Sequence, residues 1–163
     1  MASNRSVERY NVQGEVSPYM AKYQEAASAS WGVHELVYGV AGQMTVVASN
    51  GVTVFAMAEQ AGSGVTAAEK LFSLIFETDL LLVSVTHATP ASAITAVADL
   101  HKKMSIERDA TNKWHMIGID DASNDAWVPI GIAEPNINPA GTQYGRYIVK
   151  VLPAAIQTGA AAT

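Results

Sequence analysis

The chain has 163 residues, 49% of them apolar and 15% charged, and ten Lys and Arg against fifteen Asp and Glu give a net charge of −5. That length and apolar content predict one folded domain with a real core and exclude a disordered chain, which needs low hydrophobicity and high charge. The acidic balance argues against a nucleic-acid partner, and the absence of cysteine excludes a disulfide framework, a thiolate zinc site and a Cys nucleophile.

No stretch reaches the roughly 18 apolar residues of a membrane helix; the nearest, Leu71 to Val85, is broken by Glu77 and Asp79. The opening residues MASNRSVERYNVQGEV have no apolar core of a signal peptide, so synthesis in the cytoplasm without an address is expected.

Three parts are expected: an N-terminal arm (1–30), a β-rich body (31–153) and a C-terminal tail (154–163). The arm is polar, and Arg5, Glu8, Arg9, Glu15, Lys22 and Glu25 balance to zero charge. Pro18 is placed to open a short helix, with Tyr19, Tyr23 and Ala26 on one face. Such an arm has too little apolar surface for a core of its own. The tail, AAIQTGAAAT, is built of small residues that fray.

In the body, His34, Leu36, Tyr38 and Val40 alternate as in a strand. Met44–Ala48 and Val52–Met57 flank Ser49-Asn50-Gly51, and Asn-Gly between apolar runs predicts a two-strand hairpin. Thr66-Ala67-Ala68-Glu69 has capping-box spacing, yet Phe72, Leu74 and Phe76 alternate; strand is the preferred reading there. Leu80–Thr86 reads as a buried strand. Thr89 and Pro90 open a helix-like run to Lys103, with Ile94, Val97 and Leu100 on one side. The pattern W-x-x-I-G-I occurs at Trp114 and again at Trp127, which predicts two neighbouring strands, with Pro129 marking an edge or bulge. Gly141–Leu152, with Tyr144, Ile148 and Val149, closes the body as a last strand. The fold class is therefore mainly β, a β-sandwich or barrel-like domain with one short helix and an extended N-terminal arm.

The residues that could carry chemistry are few. Gly62-Ser63-Gly64-Val65-Thr66-Ala67 fits the dinucleotide pattern G-x-G-x-x-A, but it follows a hairpin rather than opening a βαβ unit, and an ordinary loop is the better reading. His34, His87, His101 and His115 lack metal-ligand spacing. Asp120, Asp121 and Asp125 could hold a hard cation, although three acids in a turn more often make Asx hydrogen bonds. No paired carboxylates or nucleophile–base set stands out. A non-enzymatic protein without a cofactor is expected, one whose low charge suits packing against copies of itself or a larger surface.

Three stretches resemble the small head-decoration, or capsid cement, proteins of tailed bacteriophages: VTVFAMAEQAGSGVTAAEKLF, WHMIGIDDASNDAWVPIGIAEP and YGRYIVKVLP. The likeness is one of pattern and runs from about Val46 to Pro153. It implies a β-rich domain, often a homotrimer, on the outside of an assembled capsid where major capsid subunits meet. Stabilisation would come by mass action, because a ligand that binds only the assembled shell favours it, and linked copies add avidity. The major capsid protein and the chain itself are the implied partners, with no nucleic acid and no membrane. Arg and Tyr are frequent interface anchors. Arg5, Arg9, Tyr10, Tyr19 and Tyr23 are therefore the expected contact residues, with Trp31 at the junction of arm and body. Two other readings stay open: a different virion subunit (tail-tube, neck or minor capsid protein), and a small nucleotide-binding enzyme using Gly62, Gly64 and Ala67.

Overall fold

A computed structural model describes residues 7–10, 18–87, 92–121, 123–135 and 145–157. Eleven strands run through them: β1 (Glu8–Arg9), β2 (Met20–Glu25), β3 (Leu36–Val40), β4 (Gln43–Val46), β5 (Ala56–Ala58), β6 (Glu69–Leu74), β7 (Leu81–Thr86), β8 (Met104–Asp109), β9 (Trp114–Gly118), β10 (Asp125–Glu134) and β11 (Arg146–Val151). The protein is mainly β, as its patterning predicts.

The strands form two rings. Strands β2, β4, β3, β5 and β6 close an N-terminal barrel. In the second sheet the order is β1-β7-β11-β10-β8-β9, and β9 returns to pair with β7 in parallel through Val85↔Ile117 and Thr86↔Gly118. Five strands, β7 to β11, thus make a closed circuit of their own. Closure removes the exposed edges that invite aggregation. The first strand crosses over: β1 lies on β7 of the second barrel, through Glu8↔Leu82 and Arg9↔Leu81.

Each barrel has an interior, and the two share a seam. Trp31, Val37, Met44, Ala56, Ala58 and Phe72 fill the N-terminal barrel, with Tyr23 and Phe55 packed on them. Leu36, Val47, Val54, Met57 and Ile75 point the other way and join one cluster with Leu81, Ile106, Ile117, Trp127 and Val149 of the second barrel. Each such side chain is worth about 1.5–3 kcal/mol when buried, so apolar packing is the main force holding the barrels together.

Several expectations change in three dimensions. The stretch after Pro18 is strand β2, not a helix; it pairs with β6 from Met20↔Ser73 to Gln24↔Glu69. Alternation decides, since Tyr23 and Glu25 turn inward while Met20, Lys22 and Gln24 face out. The described parts of the arm are thus built into the fold, and Val7 is fully buried in the shared core. Likewise Ala155, in the expected tail, is buried, and Ile156 bridges to Val54.

The Asn50-Gly51 turn forms, with Gly51 N–H donating to the Ala48 carbonyl and Asn50 at φ 59, but it does not make a hairpin. Strand β3 lies between β4 and β5. The tight hairpin is instead β3–β4, where Ala41 and Gly42 take φ 48 and 80 between the paired Val40 and Gln43. Both central residues have φ > 0, the type I′ requirement that Ala-Gly meets less obviously than Asn-Gly.

The helix expected up to Lys103 is absent from its described part, where a 3-10 turn covers Val97–Asp99 and Ala96 is extended. Thr89 and Pro90 lie outside the described residues. Val97 is 75% exposed while Leu100 packs on the core, so Ile94, Val97 and Leu100 do not share a face. The ambiguous Glu69–Leu74 stretch is a strand, as preferred. The two W-x-x-I-G-I copies do begin strands, β9 and β10, but β8 runs between them. Pro129 does mark a bulge, where the β10–β11 register shifts before Gly131. Tyr144 lies outside the described residues, and the last strand buries Tyr147.

Candidate functional site

The expected contact residues part company. Tyr23 packs edge-on against Phe55, with centroids 5.4 Å apart, inside the N-terminal barrel. Trp31 is fully buried, and its indole N–H donates to the Gln60 carbonyl at 2.9 Å. Trp31 thus lies in the barrel interior, while Tyr23 is half-buried against it. Arg5 lies outside the described residues.

Arg9, Tyr10 and Tyr19 gather at one end of the N-terminal barrel, around the link 75–80 that joins β6 to β7. Arg9 pairs with Asp79 at 2.8 Å and also donates to the Leu74 carbonyl. Tyr10 N–H donates to the Leu80 carbonyl, and Leu74 N–H to the Tyr19 carbonyl. Asp79 accepts from Phe76 N–H at 2.8 Å and so shapes the link. At this end Tyr19, Met20 and Phe76 are 65%, 41% and 48% exposed. Sequence reasoning missed Met20, which fell within the expected helix after Pro18, and Phe76, which reads as one more member of an alternating strand. Only closure of the barrel leaves them at its rim.

The glycine loop holds an anion, and the anion is the protein's own. The Glu25 carboxylate, out of contact with solvent at the end of β2, accepts from Ser63 N–H at 2.9 Å, Val65 N–H at 2.8 Å and the Ser63 hydroxyl. Burial alone would raise its pKa, but these bonds and the charge of Lys70 hold it below the ordinary carboxylate value. Strand β6 follows the loop, so the strand–turn–helix context of a dinucleotide fingerprint is not formed.

A second buried carboxylate sits between the barrels. Glu35 accepts from Arg108 Nε at 2.7 Å and Nη2 at 3.1 Å, and from Gly32 N–H at 2.8 Å. Arg108 reaches it from β8 and also donates to the Ser30 carbonyl. Beside them His115, on β9, accepts from Leu36 N–H at Nδ1 and contacts the Val47 carbonyl through Nε2 at 2.7 Å. Burial pushes the His115 ring down to about 4, against the opposing pull of the Val47 bond and Glu35. The ring is therefore neutral and carries its proton on Nε2. His115 is fully buried, and its two backbone partners were not legible in the sequence.

At the same end of β8 an open cleft of about 540 Å³ is lined by His87, Glu107, Arg108, Asp109, Asp120 and Asp121 among others. His87 Nδ1 is 3.6 Å from Asp120. Asp121 accepts from Ser123 N–H and its hydroxyl, an Asx turn whose bonds hold the carboxyl below its ordinary value. Among the described residues no group of three His, Cys, Asp or Glu side chains is arranged to hold a metal ion, and no helix is long and apolar enough to cross a membrane.

The class that emerges is a two-barrel β protein whose buried carboxylates Glu25 and Glu35 are satisfied by its own backbone and side chains and whose exposed apolar side chains include a group at one barrel rim. Comparison with protein-family models, curated proteins and solved structures finds no match to this chain.

Proposed function

We propose that the chain is a virion structural protein that decorates the outside of an assembled capsid and stabilises it without catalysis. The observation that carries this reading is the rim at which Tyr19, Met20 and Phe76 stand exposed beside Arg9 and Tyr10. Aromatic and Met side chains ringed by polar groups are the composition of an interface core. The low charge of the chain and its likeness in pattern to capsid cement proteins support the same reading.

The mechanism is selective binding. A protein that meets a composite surface, present only where major capsid subunits join, stabilises the shell by RT ln(1 + [L]/Kd), about 2.7 kcal/mol per site at a free concentration 100 times Kd. The two rigid barrels supply a rim whose geometry is set before binding, which limits the entropy cost.

Co-sedimentation of the full chain with assembled shells and with free major capsid protein of the virion that encodes it tests this. Binding to shells alone, weakened at least tenfold by Tyr19→Ser with Phe76→Ser, is the expected result. Equal binding to both, or to neither, overturns it; stacking of the pure protein into rings or tubes would point to a tail-tube or neck subunit instead.

A further inference from the structure

The seam between the barrels carries a titratable ring where a backbone ladder should close. Val47 N–H donates to the Leu36 carbonyl at 3.0 Å, one half of an antiparallel pair. The other half would run from Leu36 N–H to the Val47 carbonyl. His115 takes that place: Leu36 N–H donates to Nδ1 at 3.0 Å, and Nε2–H donates to the Val47 carbonyl at 2.7 Å. An imidazole of the second barrel is thus spliced into the ladder of the first.

A proton added at Nδ1 turns that acceptor into a donor, and Leu36 N–H loses its partner. The charged groups facing the ring are Glu35, from the turn before β3, and Arg108, its register partner on β8. Strands β3 and β4 present the Leu36 N–H and the Val47 carbonyl. Glu35 Oε1 lies 3.8 Å from Nδ1 and is held by Arg108 Nε at 2.7 Å. Protonation therefore sets imidazolium and guanidinium in competition for one oxygen of a fully buried carboxylate.

We propose that His115 is an acid-sensitive tie between the barrels: once protonated it turns Nδ1–H to Glu35, releases Leu36 N–H and loosens the seam, while the ladders within each barrel stay closed. The proton comes from solvent and returns to it on neutralisation. With the ring titrating at about 4, the protonated fraction rises from about one in a thousand at pH 7 to about a half at pH 4. The seam is a two-state element with named alternatives, which such a device requires.

Amide hydrogen exchange on the full chain, corrected for intrinsic rates, tests the tie. Between pH 7 and pH 4 the protection of Leu36 is expected to fall at least tenfold relative to Phe72 and Val149, which lie inside the two ladders. In His115→Gln, which keeps one donor and one acceptor but does not titrate, that ratio should stay constant. If this variant does not fold, the ¹⁵N shifts of the His115 ring in the wild-type chain must titrate with the same midpoint as the Leu36 ratio. An unchanged ratio in the wild type, an equal fall in all three amides, a fall retained in His115→Gln, or a mismatch of midpoints overturns the proposal.

Discussion

The Gln157 carboxamide pairs with both backbone groups of Gly39, accepting from its N–H at 2.7 Å and donating to its carbonyl at 2.9 Å, across 118 residues of chain. The side chain behaves as one more peptide unit on the rim of β3, where β5 has ended. With Gln157 N–H on the Val54 carbonyl and Val54 N–H on the Ala155 carbonyl, it seals the N-terminal barrel with residues that follow the second one. Gln157→Ala should cost about 1–2 kcal/mol, the effect of leaving two backbone groups to water or unpaired. Urea unfolding checks this, and Gln157→Glu should fail to restore stability because a carboxylate cannot donate to the Gly39 carbonyl.

Glu25 should give the loop 62–67 an acid limit. Its folded pKa lies below its unfolded value of about 4.5. The stabilisation is thus complete above that value and is lost as pH falls through the lower folded value. Glu25→Gln should cost about 1 kcal/mol at pH 7, since a neutral amide accepts these bonds less strongly. The variant should also flatten the acid limb of the stability curve, measured as the denaturation midpoint between pH 6 and pH 3.

Arg108 should be the costlier half of its ion pair to lose. Glu35 is fully buried, so Arg108→Leu strands a carboxylate without its counter-charge, for about 3–5 kcal/mol. The double variant Glu35→Leu with Arg108→Leu should recover a large part of that loss, because the buried charge goes with its partner. A double-mutant cycle by chemical denaturation decides. Two equal and additive losses would show that the guanidinium acts through packing rather than charge.

The Tyr147 hydroxyl accepts from Ala96 N–H at 2.7 Å and donates to Asp99 at 3.0 Å, strapping the segment before β8 across β11. Burial and the Asp99 charge push its pKa up to about 12. Ultraviolet titration should therefore show Tyr147 still largely protonated at pH 11, a contribution absent from the Tyr147→Phe curve. Tyr147→Phe should cost about 1–2 kcal/mol and raise amide exchange at Ala96, with little change at β10.

Strand alternation was readable where side chains alone decide it. Leu81, Val83 and Val85 are buried on β7, and Tyr147, Val149 and Val151 alternate inward on β11. Partners were less readable. Asn50-Gly51 forms its turn, yet the strands on either side of it are separated by β3, because a turn signal governs four residues and says nothing of which ladders close beyond them. The Ile94–Leu100 run has helical spacing, but the Tyr147 hydroxyl claims Ala96 N–H and the segment stays largely extended. Among the expected contact residues, Trp31 could not be read as buried nor Tyr23 as half-buried, since the barrel that covers them is closed by strands from 36 to 74.

By itself the sequence determined that this is a mainly β protein with a substantial apolar core, no cysteine chemistry and little charge. Those properties follow from composition and from periods of two residues, which are local. Tertiary structure alone decided that the described strands close into two rings. It also decided that Glu25 fills the glycine loop and that His115 completes a ladder belonging to the other barrel. Each of these joins groups that lie tens of residues apart, and such pairings are chosen by ring closure and by the need to satisfy every buried donor, acceptor and charge.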